Sequence, residues 1–136
     1  MREKNEKNEI KSGDRGKVKL KVSKVNYAVA RIRNFDVLNH LNFPFFALIN
    51  DGREITVVAE EEKLPEGLEA ERGFRLITFE TVLPFDMVGF IARISRVLAE
   101  KNVPILVFSS YPTDHILVRT EYLQKAVEAL YELGFD

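Results

Sequence analysis

The sequence contains no cysteine among its 136 residues. This absence excludes disulfides, zinc–thiolate sites, iron–sulfur clusters and thiol catalysis. It also has no run of about 18 apolar residues that could form a transmembrane helix. The charged amino terminus lacks the apolar segment of a secretory signal. We therefore expect a cytoplasmic protein that does not associate with a membrane.

The composition that remains is that of an ordinary globular protein. Hydrophobic residues make up 46% and charged residues 30% of the chain, which excludes disorder of the whole molecule. A chain of 136 residues is long enough to bury a substantial core without covalent cross-links. The length indicates one compact domain or two small halves that share a core.

The charge is unevenly distributed along the chain. Residues 1–24 carry nine basic and four acidic side chains, whereas residues 25–136 carry eleven basic and seventeen acidic ones. We predict a flexible basic tail over residues 1–16. A basic arm can contact nucleic acid, but the interspersed glutamates favour a solubilising extension. The acidic body argues against a large phosphate-binding face, so no nucleic-acid partner is expected.

The hydrophobic pattern predicts strands and helices over most of the remaining chain. A strong turn signal at Asp51-Gly52 predicts a hairpin, and Asp86 suits the N-cap of the first long helix. The glutamate-rich segment 60–73 predicts a solvated loop. The predicted strands are 17–22, 25–32, 45–50, 53–59, 74–79, 105–109 and 114–119. The predicted helices are 34–42, 87–101 and 121–133, ended by Pro44, Asn102 and Gly134 respectively.

An internal repeat relates the two halves by a shift of 60 residues. Leu38 falls on Leu98, Pro44 on Pro104 and Glu54 on Asp114, although a chance similarity of two hairpins would give the same matches. Each half then has a βαββαβ pattern. The C-terminal half lacks a final strand, which residues 17–22 could supply by pairing across the halves.

Two motifs in residues 84–118 resemble those of the ACT-domain family. One is Gly89 at a strand-to-helix turn, and the other is Ser109-Ser110 followed by Thr113-Asp114-x-Ile116-Leu117-Val118. Ser110 stands where threonine is usual in the family. More narrowly, the sequence is similar to the paired-ACT class shared by small prokaryotic ACT proteins and the animal cytosolic arginine sensor.

The resemblance implies an α+β fold of two ferredoxin-like ACT modules packed together, with antiparallel sheets and helices on one face. A degenerate N-terminal module would cover residues 17–72, and a C-terminal module residues 73–136. It also implies that an amino acid binds at an interface between modules or subunits.

An α-amino acid needs amide donors for its carboxylate, an acceptor for its ammonium group and a shaped wall for its side chain. The Asp86–Gly89 turn would supply the amides, Asp114 would hold the ammonium group, and nearby hydroxyls would complete the contacts. The predicted ligand-binding residues are Asp86, Met87, Val88, Gly89, Ser109, Ser110, Thr113, Asp114 and Ile116.

Three of these residues also have a purely structural interpretation. Asp86 would serve as an N-cap, Gly89 would permit close helix–sheet packing, and Asp114 would cap the Ser110–Thr113 turn. His115 alternates to the opposite sheet face and is expected to be a packed or surface residue. Glu54, the repeat counterpart of Asp114, could mark a degenerate second site.

The sequence predicts a regulatory protein that binds an amino acid and has no catalytic activity, cofactor or metal. We expect a homodimer, with a further protein partner as a possible output. The alternative is an interaction module that kept the fold and lost its ligand. An enzyme would have to use Asp86, Asp114 and His115, and nothing in the sequence fixes their geometry.

Overall fold

The computed structural model describes residues 18–39 and 46–136. The predicted tail over residues 1–16, His40 and Pro44 lie outside this part of the chain. The strands are β1 (Lys19–Val22), β2 (Tyr27–Ile32), β3 (Ala47–Asn50), β4 (Ile55–Glu60), β5 (Glu69–Glu80), β6 (Leu106–Ser109) and β7 (Asp114–Arg119). The helices are α1 (Asp36–Asn39), α2 (Phe90–Glu100) and α3 (Leu123–Leu133), with 3₁₀ turns at Glu61–Lys63 and Thr120–Tyr122.

Packing divides the chain into two compact units. One unit is residues 24–75, and the other combines the segment that ends at Ser23 with Leu76–Asp136; we call them the central unit and the terminal unit. The boundary falls inside β5, so the first half of this strand belongs to the central unit and its second half to the terminal unit.

The sheet of the terminal unit has the strand order β1–β5–β7–β6. Strand β1 is antiparallel to the second half of β5, with Lys19 opposite Glu80 and Val22 opposite Ile77. Asp136 also bonds to this strand, because the Leu20 amide donates to the Asp136 carbonyl at 2.7 Å. The N-terminal segment thus supplies the strand that the C-terminal half lacks, as the repeat predicted.

Both long helices cover one face of this sheet. Their apolar stripes and one face of β5 and β7 enclose seven large, fully buried side chains. These residues are Ile77, Phe79, Ile94, Leu98, Ile116, Val118 and Leu130. An α+β class with an antiparallel sheet and two helices is therefore confirmed for this part of the chain.

The start of α2 differs from the prediction of a helix from residue 87 capped by Asp86. The amide of Met87 donates to the carbonyl of Pro84 at 3.1 Å and closes a turn there. Gly89 then adopts a φ of 92°, and the helix begins at Phe90. Asp86 lies inside this turn, and Gly89 occupies the N-cap position, so Asp86 does not cap the helix. The last helix also starts late, at Leu123, because a 3₁₀ turn precedes it.

The central unit has the strand order β3–β4–β2–β5. Its core is small and contains three alanines, Ala28, Ala30 and Ala59. The Asp51-Gly52 turn is confirmed: Asp51 Oδ1 accepts the amides of Arg53 and Glu54, each at 2.8 Å. The predicted loop over 60–73 was wrong in its second half, since β5 begins at Glu69 and pairs with β2.

Candidate functional site

A cleft of about 180 Å³ lies in the terminal unit, between the segment after β5 and the β6–β7 hairpin turn. Its lining residues are Leu83, Pro84, Phe85, Met87, Phe90, Ser109, Ser110, Tyr111, Thr113 and Asp114. The hydrogen bond from the Leu83 amide to the Pro112 carbonyl, 2.7 Å long, ties the two segments together. The tertiary fold therefore brings the segment before α2 and the β6–β7 hairpin to one place.

Five of the nine predicted ligand-binding residues line this cleft: Met87, Ser109, Ser110, Thr113 and Asp114. The other four are Asp86, Val88, Gly89 and Ile116. Ile116 lies on the same face of β7 as Asp114 but is fully buried in the core under the helices. Asp86, Val88 and Gly89 are exposed in the turn before α2 and do not line the cleft.

Asp114 is the one charged side chain among the described residues that line the cleft. It is half-buried, and its Oδ1 accepts a hydrogen bond from the Ser109 hydroxyl at 2.6 Å. Ser109 and Asp114 are directly opposite each other on β6 and β7. The carboxylate is thus oriented by the hairpin, and its second oxygen can accept a further donor.

Thr113 and Ser110 hold the hairpin in place, the first through its hydroxyl and the second through its backbone amide. Thr113 is buried, and its hydroxyl donates to the Phe79 carbonyl at 2.8 Å. The Ser110 amide donates to the Thr113 carbonyl at 2.9 Å, which closes the turn. Thr113 accordingly positions the site, whereas the exposed Ser110 remains at its surface.

His115 connects the cleft to the middle of the sheet. Its Nε2 lies 2.8 Å from the Ser110 hydroxyl and its Nδ1 lies 2.9 Å from the Thr78 hydroxyl. Burial lowers the pKa of His115, and the nearby Asp114 carboxylate partly opposes this shift. The imidazole is therefore neutral near pH 7 and takes part in a polar chain from β5 to the cleft. Strand alternation indicated a packed residue but not its hydroxyl partners.

The first turn of α2 contributes backbone donors. The first α-helical bond runs from the Arg93 amide to the Gly89 carbonyl, at 3.1 Å. The amides of Phe90, Ile91 and Ala92 precede that bond and have no partner within the helix. Gly89 has a φ of 92°, a backbone conformation that L side chains rarely adopt. An added Cβ would meet nothing within 4 Å. The backbone conformation, and not a close approach of another group, therefore requires the glycine.

Two aromatic side chains at the cleft were missed in the sequence. The rings of Phe85 and Tyr111 are 5.1 Å apart, although the residues are 70% and 78% exposed. Each ring adjoins a proline in its turn, Pro84 or Pro112. An aromatic residue beside a turn proline in both motifs was the signal that could have identified them.

In the part of the chain described, no group of three His, Asp or Glu side chains could hold a metal ion. No helix in the same residues is long and apolar enough to cross a membrane.

Residues 69–132 match a family model described as an ACT domain. This segment runs from the start of β5 almost to the end of α3, just under half of the chain. No match is found among curated proteins.

Solved structures share the fold over most of the chain. A protein of unknown function from Vibrio cholerae, titled a possible transport protein, is 28% identical; the alignment covers 86% of this chain and 90% of that one with a TM-score of 0.74. A protein from Agrobacterium tumefaciens is 22% identical over 88% and 90% of the two chains, with a TM-score of 0.75. The regulatory subunit of aspartate kinase from Thermus thermophilus is 14% identical over 86% and 96%, with a TM-score of 0.65. The antiparallel sheet and two long helices of this protein are those of an ACT fold.

Proposed function

We propose that the protein is a regulatory ACT protein that binds an amino acid in the cleft of the terminal unit. One observation carries this proposal: a half-buried carboxylate and the first turn of an 11-residue helix meet at the same cleft. The ACT-domain match and the likeness to a regulatory subunit of aspartate kinase support it. In this proposal both units are ACT modules of the paired class that includes the animal arginine sensor.

The ammonium group of the ligand would bind at Asp114. Ser109 already donates to Oδ1 of this carboxylate, so Oδ2 and the remaining lone pairs face the incoming cation. A charge-assisted hydrogen bond there is about twice as strong as a neutral one. The exposed hydroxyl of Ser110 can accept a second ammonium proton.

The carboxylate of the ligand would bind at the start of α2. Phe90 lines the cleft, and the first-turn amides, which have no partner within the helix, favour an anion together with the helix dipole. Leu83, Met87 and Phe90 would surround the side chain of the ligand. Since Asp114 is the one charged lining group described and is used by the ammonium, the expected ligand has a small uncharged side chain.

Regulation would follow from assembly around the cleft. Four apolar side chains beside it are more than half exposed: Val82, Phe85, Val88 and Tyr111. We propose that a second copy covers them, so that the ligand is bound at the interface of a homodimer. The ligand would then favour the assembled state by no more than its difference in affinity for the two states. The output would be the assembly state or a protein partner.

A thermal-melt screen of the full chain against the twenty amino acids at millimolar concentration tests the proposal. A ligand at 100 times its Kd stabilises the folded state by about 2.7 kcal/mol, which raises the Tm by about 5–12 °C at this size. We expect a shift of this order with one chemical class of amino acid.

A matched pair of variants locates the binding site. Asp114→Asn keeps the acceptor for Ser109 and removes the charge, so it is expected to abolish most of the shift. Asp86→Asn removes a carboxylate outside the cleft and is expected to preserve the shift. No shift with any amino acid from a folded sample, or equal losses in the two variants, contradicts the proposal.

A second candidate function is an interaction module that binds no small molecule. The exposed Phe85–Tyr111 pair favours it, since exposed apolar clusters beside a groove are typical of protein-binding surfaces. In that case Phe85→Ser would weaken self-association in light scattering, and no amino acid would change the melting temperature or the mass.

A further inference from the structure

The central unit contains its own cavity, of about 950 Å³. It is formed by the end of β2, the β3–β4 turn and the residues that lead into β5. Five charged side chains line it: Arg31, Arg33, Arg53, Glu54 and Glu69. Residues 24–75 carry nine acidic and seven basic side chains, yet the lining has one more cation than anion.

Both carboxylates of the lining are used by one arginine. Arg31 Nε and Nη2 donate to the two oxygens of Glu54 at 2.8 and 3.0 Å. Arg31 Nη1 donates to both oxygens of Glu69, each at 3.1 Å. The paired hydrogen bonds between two Arg31 nitrogens and the two Glu54 oxygens favour one relative orientation of these groups. Glu54 therefore differs from Asp114, whose Oδ1 accepts a hydrogen bond from a neutral serine.

The side-chain amide oxygens of the lining each accept a backbone hydrogen bond. Asn34 Oδ1 accepts the Asp36 amide at 2.8 Å, and Asn50 Oδ1 accepts the Gly52 amide at 2.9 Å. Both asparagines line the cavity, and their side-chain nitrogens are donors only. These two amide groups therefore add further donors to those of the arginines.

Two arginines of the lining have no carboxylate partner within residues 18–39 and 46–136. These are Arg33 and Arg53, which make no ion pair in that part of the chain. Asp51, two residues before Arg53, directs its Oδ1 to the amides of Arg53 and Glu54. Two like charges at one cavity repel each other unless an anion lies between them.

We propose that this cavity binds a small metabolite bearing phosphate or carboxylate oxyanions, held by Arg33 and Arg53. The planar guanidinium forms paired hydrogen bonds with both kinds of oxyanion. Arg31 acts as a positioning residue, because it keeps Glu54 and Glu69 from neutralising the other two arginines. The site is independent of the amino-acid cleft in the terminal unit, so either proposal can fail without the other.

Isothermal titration calorimetry of the full chain with inorganic pyrophosphate and with citrate, at constant ionic strength, tests this site. We expect saturable binding of at least one probe with one site per chain. The double variant Arg33→Gln/Arg53→Gln is expected to weaken that binding at least tenfold, equivalent to about 1.4 kcal/mol.

The matched control is Arg93→Gln/Arg96→Gln, which removes the same charge from the exposed side of α2. It is expected to change the affinity less than twofold. No saturable heat with either probe up to about 10 mM overturns the proposal. Equal weakening in the two double variants also overturns it, since that result would show nonspecific electrostatic attraction of the anion to the protein. If the double variant at Arg33 and Arg53 does not melt cooperatively, the two single variants replace it.

Discussion

The two units share a strand pattern but differ in what fills the space beside their sheets. In the terminal unit, two 11-residue helices cover a core of large side chains such as Phe79, Ile94 and Leu98. In the central unit, the one α-helix in the described residues has four residues, and half of the six buried core residues are alanines. A similar chain path thus supports two cores of very different apolar content.

The same difference extends to the two cavities. Among the described residues, the cleft of the terminal unit has a single carboxylate, oriented by a serine, next to the first turn of a helix. The cavity of the central unit has two carboxylates bound by one arginine, and two further arginines that make no ion pair with those same residues. Glu54, which the shift of 60 residues aligns with Asp114, lies in the β3–β4 turn, because Asn50 pairs with Ile55 whereas Ser109 pairs with Asp114. The two acidic residues therefore differ in hairpin position as well as in their side-chain partners.

The largest expected effect comes from removing residues 1–23, which tests whether β1 belongs to the terminal unit. Val18 is buried in that core, and β1 pairs along the second half of β5. Without it this half of β5 has an unpaired edge, so cooperative unfolding of the terminal unit is expected to be lost. Circular dichroism melting measures this. Removal of residues 1–17 alone is the control, and equal melting curves for both truncations would show that β1 is dispensable.

A smaller effect separates the two cores. Leu98→Ala, at a fully buried helix position, is expected to lower the free energy of unfolding by about 2–5 kcal/mol. Val57→Ala in the central unit, 1% exposed, removes fewer methyl groups and is expected to cost about 1–3 kcal/mol. Urea unfolding measures both variants. The comparison of the cores is wrong if Val57→Ala costs as much as Leu98→Ala.

The smallest effect is the pH dependence contributed by His115. Its folded pKa is lowered by burial, so the unfolded chain binds this proton more readily. The resulting stability is fully present above the ordinary histidine pKa of about 6.5 and is lost as the pH falls below it. Unfolding free energies of wild type and His115→Gln between pH 7.5 and 5 are expected to converge toward the acid end. Parallel curves would contradict the burial of a neutral imidazole.

Much of the terminal unit could be predicted because its apolar pattern is strong. The period of the long helices, the Gly134 end of α3 and the β6–β7 hairpin all follow from local signals. The start of α2 could not be predicted, because the Pro84–Met87 turn and the left-handed Gly89 compete with a good N-cap residue. Strand β5 was predicted too short because its first residues are charged and are held by pairing with β2.

Some features of the candidate site also follow from local sequence signals, and others do not. The sequence by itself determined which hydroxyl and carboxylate residues lie on the β6–β7 hairpin, since alternation and turn residues fix that spacing locally. Only the tertiary structure decided that Phe85 and Tyr111 meet, that Ile116 lies in the core and that Glu54 is bound by Arg31. Those outcomes depend on contacts between residues that are far apart in the sequence, such as the Arg31 ion pairs at separations of 23 and 38 residues. No local sequence pattern encodes such contacts.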